Sequence, residues 1–357
     1  MFEIDSLKIK SYRREYTVDF CNLNKELLNF YDDNTRIIID SNIYKKYPIF
    51  KQYFDASNMY IIEASEQTKT LKTCEEIISF LISSNFKRNH KLLAIGGGIT
   101  QDVTAFTASV IYRGVEWEFM PTTLLAQADS CIGSKSSINF LDTKNALGTF
   151  YPPSYINCCP EFLKTLSTDD IKSGIGEMLH YYLIEDSQLI SNFVSDYNNI
   201  LLDPVRHLSK YVAESLRIKK NMIEKDEFDQ NERRVFNYGH TFGHAIESIS
   251  DYQIPHGLAV TIGMNLANYV SLRKGFISKS EYDQLHSAIE MNLIDYRVPT
   301  DLQEEYHSLL MKDKKNVDNC IVCVLPYGIG DIRVTKITDH QELKNIIHEY
   351  MSGNLCL

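Results

Sequence analysis

The segment FNYGHTFGHAIE sets His240 and His244 four residues apart, a spacing that projects both imidazoles from one face of a helix. His256 follows sixteen residues after His240, in IPHGLAV, and Glu177 stands in GIGEMLHYY, on a helix expected to face the same region. Two imidazoles and a carboxylate make a Zn²⁺ set that leaves positions open for substrate oxygens. A histidine pair at this spacing also occurs in structural and solvent-facing roles, and the residues alone leave both readings open. A zinc peptidase would carry Glu directly after the first His, and Thr241 occupies that place.

A second group of residues has the chemistry of phosphate binding. LLAIGGGITQDVTAF sets Gly96, Gly97 and Gly98 between an apolar strand-like run and a helix-like one. Glycines there admit a phosphate close to the backbone, and the helix N-terminus offers N–H donors and a positive dipole. The run is not the G-x-G-x-x-G fingerprint, so a tight turn without a ligand stays open, and Asp102 would either cap the helix or hold a cofactor amide or hydroxyl. Cations recur beside polar turns: Arg113 in IYRGVEW, Lys135 in GSKSSINF, Lys144 in DTKNALG, then Lys219, Arg233, Lys314 and Lys315. Each alone reads as a solvated surface group. The flanking Gly, Ser and Asn in otherwise apolar segments read as positioned loops, and several cations on one cleft would suit a substrate bearing phosphate and carboxylate.

The elements that must hold these groups fall into two kinds. RIIID (36–40), MYIIEA (59–64) and KLLAIGGG (91–98) read as strands, and TCEEIISFLISS (73–84) has apolar residues at helical spacing. Strands alternating with helices predict right-handed crossovers and a parallel sheet. Beyond residue 160, DDIKSGIGEMLHYYLIED, HLSKYVAESLRIKKNMIEKDE, GHTFGHAIESISDY and GLAVTIGMNLANYVSLRKG read as helices, with little strand signal before NCIVCVLPYG. The expected organisation is α/β: a nucleotide-binding parallel-sheet domain over 1–160 and a mainly helical domain over 161–357, with ligands in a cleft between them.

Composition bounds the function classes. The 357 residues exceed one typical core, so two domains are the default. Net charge is −10, which argues against nucleic acid or an anionic membrane surface as partner, since either wants a basic face. The N-terminus lacks the apolar core of a signal peptide. The eight scattered cysteines read as reduced thiols of a cytosolic protein. Cys320 and Cys323 form a C-x-x-C, but inside an apolar strand-like run, where core packing is the reading.

Taken in order, GGGITQD, YRG, PTTLLAQADS, GSK, TKNALG, GIGEMLHY, NYGHTFGHAIE, PHG and DKKN resemble the motifs of the 3-dehydroquinate synthase family. The related sugar-phosphate cyclases, such as 2-deoxy-scyllo-inosose synthase, share much of the same order. The resemblance implies a Rossmann-like NAD-binding domain, a metal- and substrate-binding helical domain, NAD with Zn²⁺ or Co²⁺ as cofactors, and a homodimer. It implies Glu177, His240 and His256 as metal ligands. NAD contacts would be Asp40, Asn42, Glu66, Lys69, Gly97, Gly98, Asp102, Thr122, Thr123, Asp129 and Lys144. Substrate contacts would be Asp129, Lys135, Asn145, Lys219, Arg233, Asn237, His244 and Lys315, with Arg113 reaching the phosphate across a dimer interface. The implied chemistry is transient oxidation of a ring hydroxyl, phosphate elimination, reduction, and intramolecular aldol closure of a carbocycle.

Three positions depart from the family pattern. His180 stands where Lys is usual, one helical turn from Glu177; Ser134 replaces the second Gly of Gly-Gly-Lys; Leu258 replaces the Glu after His-Gly. His is shorter than Lys and partly neutral at pH 7, so either the substrate differs there or His180 joins the metal's surroundings. Arg233 and Asn237 match the residues associated with a carboxylate-bearing substrate. Alternatives are another sugar-phosphate cyclase, a metal-dependent polyol dehydrogenase, which needs no such set of cations, and a cyclase-like protein without turnover.

Overall fold

β-Branched and leucine-rich runs need burial on both sides, and a parallel sheet covered by helices provides it. The computed structural model describes residues 4–141, 143–185, 187–312, 316 and 320–353. It divides into two compact units, one of 1–167 with Asp203–Phe228, the other of Thr168–Leu202 with 229–357.

The first unit is built on a seven-stranded sheet of order β1-β2-β9-β6-β5-β3-β4. Its strands are β1 (Leu7–Ile9), β2 (Tyr16–Phe20), β3 (Thr35–Asp40), β4 (Met59–Ile62), β5 (Lys91–Gly96), β6 (Glu116–Pro121) and β9 (Tyr155–Cys158). All pairings are parallel except β1 with β2. The expected strands at 36–40, 59–64 and 91–98 are β3, β4 and β5, each ending within two residues of expectation. One face of the sheet packs Ile37, Ile39, Leu93 and Ile95 with Leu28, Phe50 and Phe162 in a buried cluster. Helices α1 (Leu71–Ser83) and α2 (Gly98–Val110) complete crossovers between strands, and Thr70 caps α1 by accepting from the Thr73 N–H.

Two features of this unit differ from expectation. Lys135, Lys144 and Asn145 do not sit in loops: they belong to an antiparallel hairpin, β7 (Lys135–Phe140) and β8 (Thr143–Phe150). Its only regularly buried residues are Ser136 and Ile138, too few for a strand signal. Helix α4 (Pro204–Ile223), expected with the C-terminal domain, groups with the first unit. It packs Leu208, Tyr211, Val212 and Leu216 inward.

The second unit is mainly helical. Helix α6 (His256–Arg273) is buried from Gly257 to Ser271, the mark of a helix at the centre of a core. It is flanked by α3 (Thr168–Glu185) and α5 (His240–Ile249), and a hairpin of β10 (Ile321–Gly328) with β11 (Asp331–Ile337) closes the unit. Cys323 lies in β10 and is 1% exposed, so it packs in the core. Among the described residues no helix is long and apolar enough to cross a membrane.

Candidate metal centre and phosphate cradle

Gly176 on α3 and Gly257 on α6 meet backbone to backbone. A Cβ on Gly257 would lie 1.7 Å from the Ser173 carbonyl oxygen, and one on Gly176 would lie 2.0 Å from the Gly257 carbonyl oxygen. Each glycine is the chain neighbour of a candidate ligand, so this crossing brings Glu177 and His256 together. The Glu177 Oε1 lies 3.1 Å from His256 Nε2, and its Oε2 lies 3.6 Å from His240 Nε2.

The imidazoles are oriented from behind. His240 Nδ1 faces the Tyr238 carbonyl oxygen at 3.2 Å, and His256 Nδ1 faces Glu247 Oε2 at 2.9 Å. Both partners only accept, so each Nδ1 is placed to donate, which leaves each Nε2 as the nitrogen that would face an ion held beside Glu177. Zn–ligand bonds of about 2.0–2.1 Å in a tetrahedron hold neighbouring donors roughly 3.3 Å apart, and the two separations to Glu177 bracket that value. The donor set fits a divalent ion. His244 joins the group: donor atoms of His240, His244 and His256 all lie within 4.8 Å of one another, and the three ring centroids form a triangle with sides of 5.4, 5.4 and 5.5 Å. The shorter separations favour Glu177 as the third ligand beside His240 and His256, with His244 at the rim.

Burial opposes charge on Glu177, yet the His240 and His256 imidazoles hold its carboxyl well below the usual carboxylate range. Burial likewise opposes a proton on His256, and Glu247 with Glu177 outweighs it, holding the imidazole well above the usual histidine value. A field that attracts a proton this strongly also attracts a cation. His180 lies at the back of the site, 1% exposed. Its Nδ1 is 3.5 Å from Glu177 Oε2, and its ring packs 3.9 Å from Tyr181 and 5.5 Å from His240. Arg233 is buried, and Asn237 donates to the Arg234 carbonyl.

In the first unit the glycines form a cradle at the end of β5. Gly97 is the N-cap of α2, with no side chain to bond the helix N–H groups. A Cβ there would come 2.9 Å from the Thr123 side chain, so only glycine lets the segment after β6 approach the start of α2 this closely. Thr122 N–H donates to the Gly96 carbonyl, and Thr123 Oγ1 accepts from Ala126 N–H. These residues fit a dinucleotide. Asp102 does not cap α2. It accepts from Ser137 N–H and Oγ, each at 2.9 Å, and pairs with Lys69 at 2.5 Å. Burial pushes its carboxyl up, with Lys69 pulling the other way. Lys69 also donates to Asn145 Oδ1, while Glu66 accepts from Asn139 and pairs with Lys144 at 3.6 Å. Asp40 caps the short helix after β3 through the Asn42 N–H, and Asn42 is exposed.

Lys219, on α4, is buried and donates to Asp129 Oδ1 at 2.7 Å and to the Asp129 carbonyl at 2.8 Å. Gln127 braces the same segment by donating to the Pro121 and Cys159 carbonyls. Lys135 is exposed at the start of β7. Arg113 is exposed in a turn of three successive left-handed residues, Tyr112, Arg113 and Gly114. Lys315 lies outside the described residues. Sequence reasoning missed Glu247. Its signal was available, because it stands seven residues after His240 and so shares the face of His240 and His244.

Residues 59–173 match the model of the 3-dehydroquinate synthase N-terminal domain, and residues 174–316 match that of the C-terminal domain. The chain is 36% identical over 272 residues to the 3-dehydroquinate synthase of Campylobacter hominis, covering 75% of this chain and 77% of that one. It is 35% identical over 321 residues to the 3-dehydroquinate synthase of Clostridium tetani, covering 81% and 85%. Among solved structures it is similar to 2-deoxy-scyllo-inosose synthase complexed with carbaglucose-6-phosphate, NAD⁺ and Co²⁺, with a TM-score of 0.85, 22% identity and coverage of 97% and 100%. At that identity the structural likeness concerns the fold.

Proposed function

The chain belongs to the 3-dehydroquinate synthase family, and from that premise we propose that it is an NAD- and metal-dependent sugar-phosphate cyclase of the 3-dehydroquinate synthase type, converting the seven-carbon phosphate precursor of dehydroquinate to a carbocycle. The observation that carries the reading is the convergence of Glu177, His240 and His256 at ligand spacing in a chain that also keeps Lys219 and Arg233 buried. A polyol dehydrogenase needs the first feature and not the second.

Glu177, His240 and His256 would hold Zn²⁺ or Co²⁺. Gly97, Gly98, Thr122 and Thr123 would cradle the NAD diphosphate, with Asp40, Asn42, Glu66, Lys69, Asp102, Asp129 and Lys144 along the rest of the cofactor. NAD supplies a reversible hydride acceptor, and the ion supplies a Lewis acid for alcohol and carbonyl oxygens. The remaining work belongs to side chains. Lys135, Asn145, Lys219, Arg233, Asn237 and Lys315 would fix phosphate and carboxylate in the geometry that elimination needs. The Asp129 carboxylate holds the Lys219 ammonium at a defined point, so its charge is aimed before substrate arrives. His244 would carry the alcohol proton, a general acid–base role that imidazole serves. Arg113 would act from a partner subunit of a homodimer.

A second reading, a cyclase acting on a different sugar phosphate, is favoured by His180, whose buried ring replaces the cation usual at that place. Incubation with NAD⁺, Zn²⁺ or Co²⁺ and the seven-carbon phosphate precursor of dehydroquinate separates these. Release of inorganic phosphate supports the first reading, and release only from sedoheptulose 7-phosphate or glucose 6-phosphate supports the second. No release from any of the three refutes cyclase chemistry.

A further inference from the structure

We propose that Glu247 is a positioning residue of the metal centre, fixing the tautomer and ring orientation of His256; the inference rests on the metal reading above. Glu247 and His240 lie two turns apart on α5, on one face, and Glu247 reaches across to the first residue of α6. Its Oε2 stands 2.9 Å from His256 Nδ1, and its side chain is 15% exposed. The opposite edge of the same ring presents Nε2 to Glu177 Oε1 at 3.1 Å. His256 is thus held between two carboxylates, one on its donor edge and one on its ligand edge.

His256 opens its helix after Pro255, which makes no side-chain capping bond. The short connection from α5 passes through Asp251 and Tyr252, both at positive φ. The other ligand, His240, is oriented by a backbone carbonyl at a longer 3.2 Å. A carboxylate partner makes a stronger, charge-assisted bond than a carbonyl does, and it makes the facing nitrogen a better donor to a metal. The site therefore has one ligand set by its own local backbone and one set by Glu247.

The test is Co²⁺ affinity of the whole chain, measured by competition with a chromophoric chelator, with the visible Co²⁺ absorption as a report of ligand geometry. Glu247→Ala should weaken Co²⁺ binding about 10–100-fold and alter the absorption band. Glu247→Gln, whose amide oxygen still accepts from Nδ1–H, should lose less, and it carries the test if the alanine variant does not fold. A merely structural Glu247 would lower the melting temperature and leave affinity and spectrum unchanged, which overturns the proposal. Wild-type protein that binds no Co²⁺, or His256→Ala that binds it normally, overturns the metal reading itself. Wild-type binding with indifferent Glu247 variants overturns only the role of Glu247.

Discussion

Gly257→Ala tests whether the metal centre is set by the approach of two helices. The new methyl carbon would sit 1.7 Å from the Ser173 carbonyl oxygen and 2.7 Å from the carbon bearing it. Both are backbone atoms inside α3, so no side-chain rotation relieves the contact. Reaching even the 3.0 Å that real Cβ atoms keep requires α3 and α6 to part by roughly 1.3 Å, several times the ±0.2 Å that ligand distances tolerate. Glu177 and His256 are the immediate neighbours of the crossing residues, so they separate with the helices. Overpacking of this kind costs about 1–3 kcal/mol. The Gly257 N–H to Ser173 Oγ bond, 3.0 Å long, stretches as well. The expected result is a lowered urea midpoint with an unchanged m-value, and Co²⁺ affinity reduced at least about tenfold, or 1.4 kcal/mol. A Gly257→Ala protein with wild-type midpoint and wild-type Co²⁺ affinity would refute the claim that this crossing positions the ligands.

Three further outcomes follow from the same geometry. Lys219→Met removes the cation that faces Asp129 and should cost about 3 kcal/mol, the low end for a buried pair because Asp129 keeps some solvent contact; urea unfolding measures this, and phosphate release should fall with it. Gly97→Val fills the space against Thr123 and should raise the NAD⁺ dissociation constant at least about tenfold, read by titration calorimetry, with Co²⁺ affinity unaltered because that site lies in the other unit. His180→Lys restores the usual cation; a rise in turnover of the seven-carbon phosphate would identify His180 as a determinant of substrate choice, and unchanged selectivity among the three phosphates would exclude it.

The parts of the molecule legible in the sequence were those whose cause is local. β3 and β5 are runs of buried apolar residues, and α2 follows glycines that only a strand end and a helix start require. His240 and His244 announce themselves by spacing. The β7–β8 hairpin was not legible, because its support is distant: Ser137 bonds Asp102 of α2, and Asn139 N–H bonds the Lys69 carbonyl. Polar residues held by polar partners leave no periodic apolar signal. The grouping of α4 with the first unit was hidden for a similar reason, since its apolar face does not say which surface it will meet. Gly176 and Gly257 read as ordinary helix residues in sequence, and only the packed structure reveals that each is the contact point of the other's helix.

His180 shows how burial and charge are balanced around Glu177. A lysine at this position would bring a permanent cation to within a turn of the carboxylate. The imidazole of His180 is enclosed by Tyr181, Phe236 and His240, with its Nδ1 3.5 Å from Glu177 Oε2. With histidine there, a permanent cation is missing from this position. Arg233, buried in the same unit, is then the cation best placed by burial to take a carboxylate or phosphate without losing its charge, because a guanidinium stays protonated where a lysine amine would not. The substitution at 180 and the retention of Arg233 would then act together: with no lysine at 180, recognition of a substrate anion would rest more heavily on arginine.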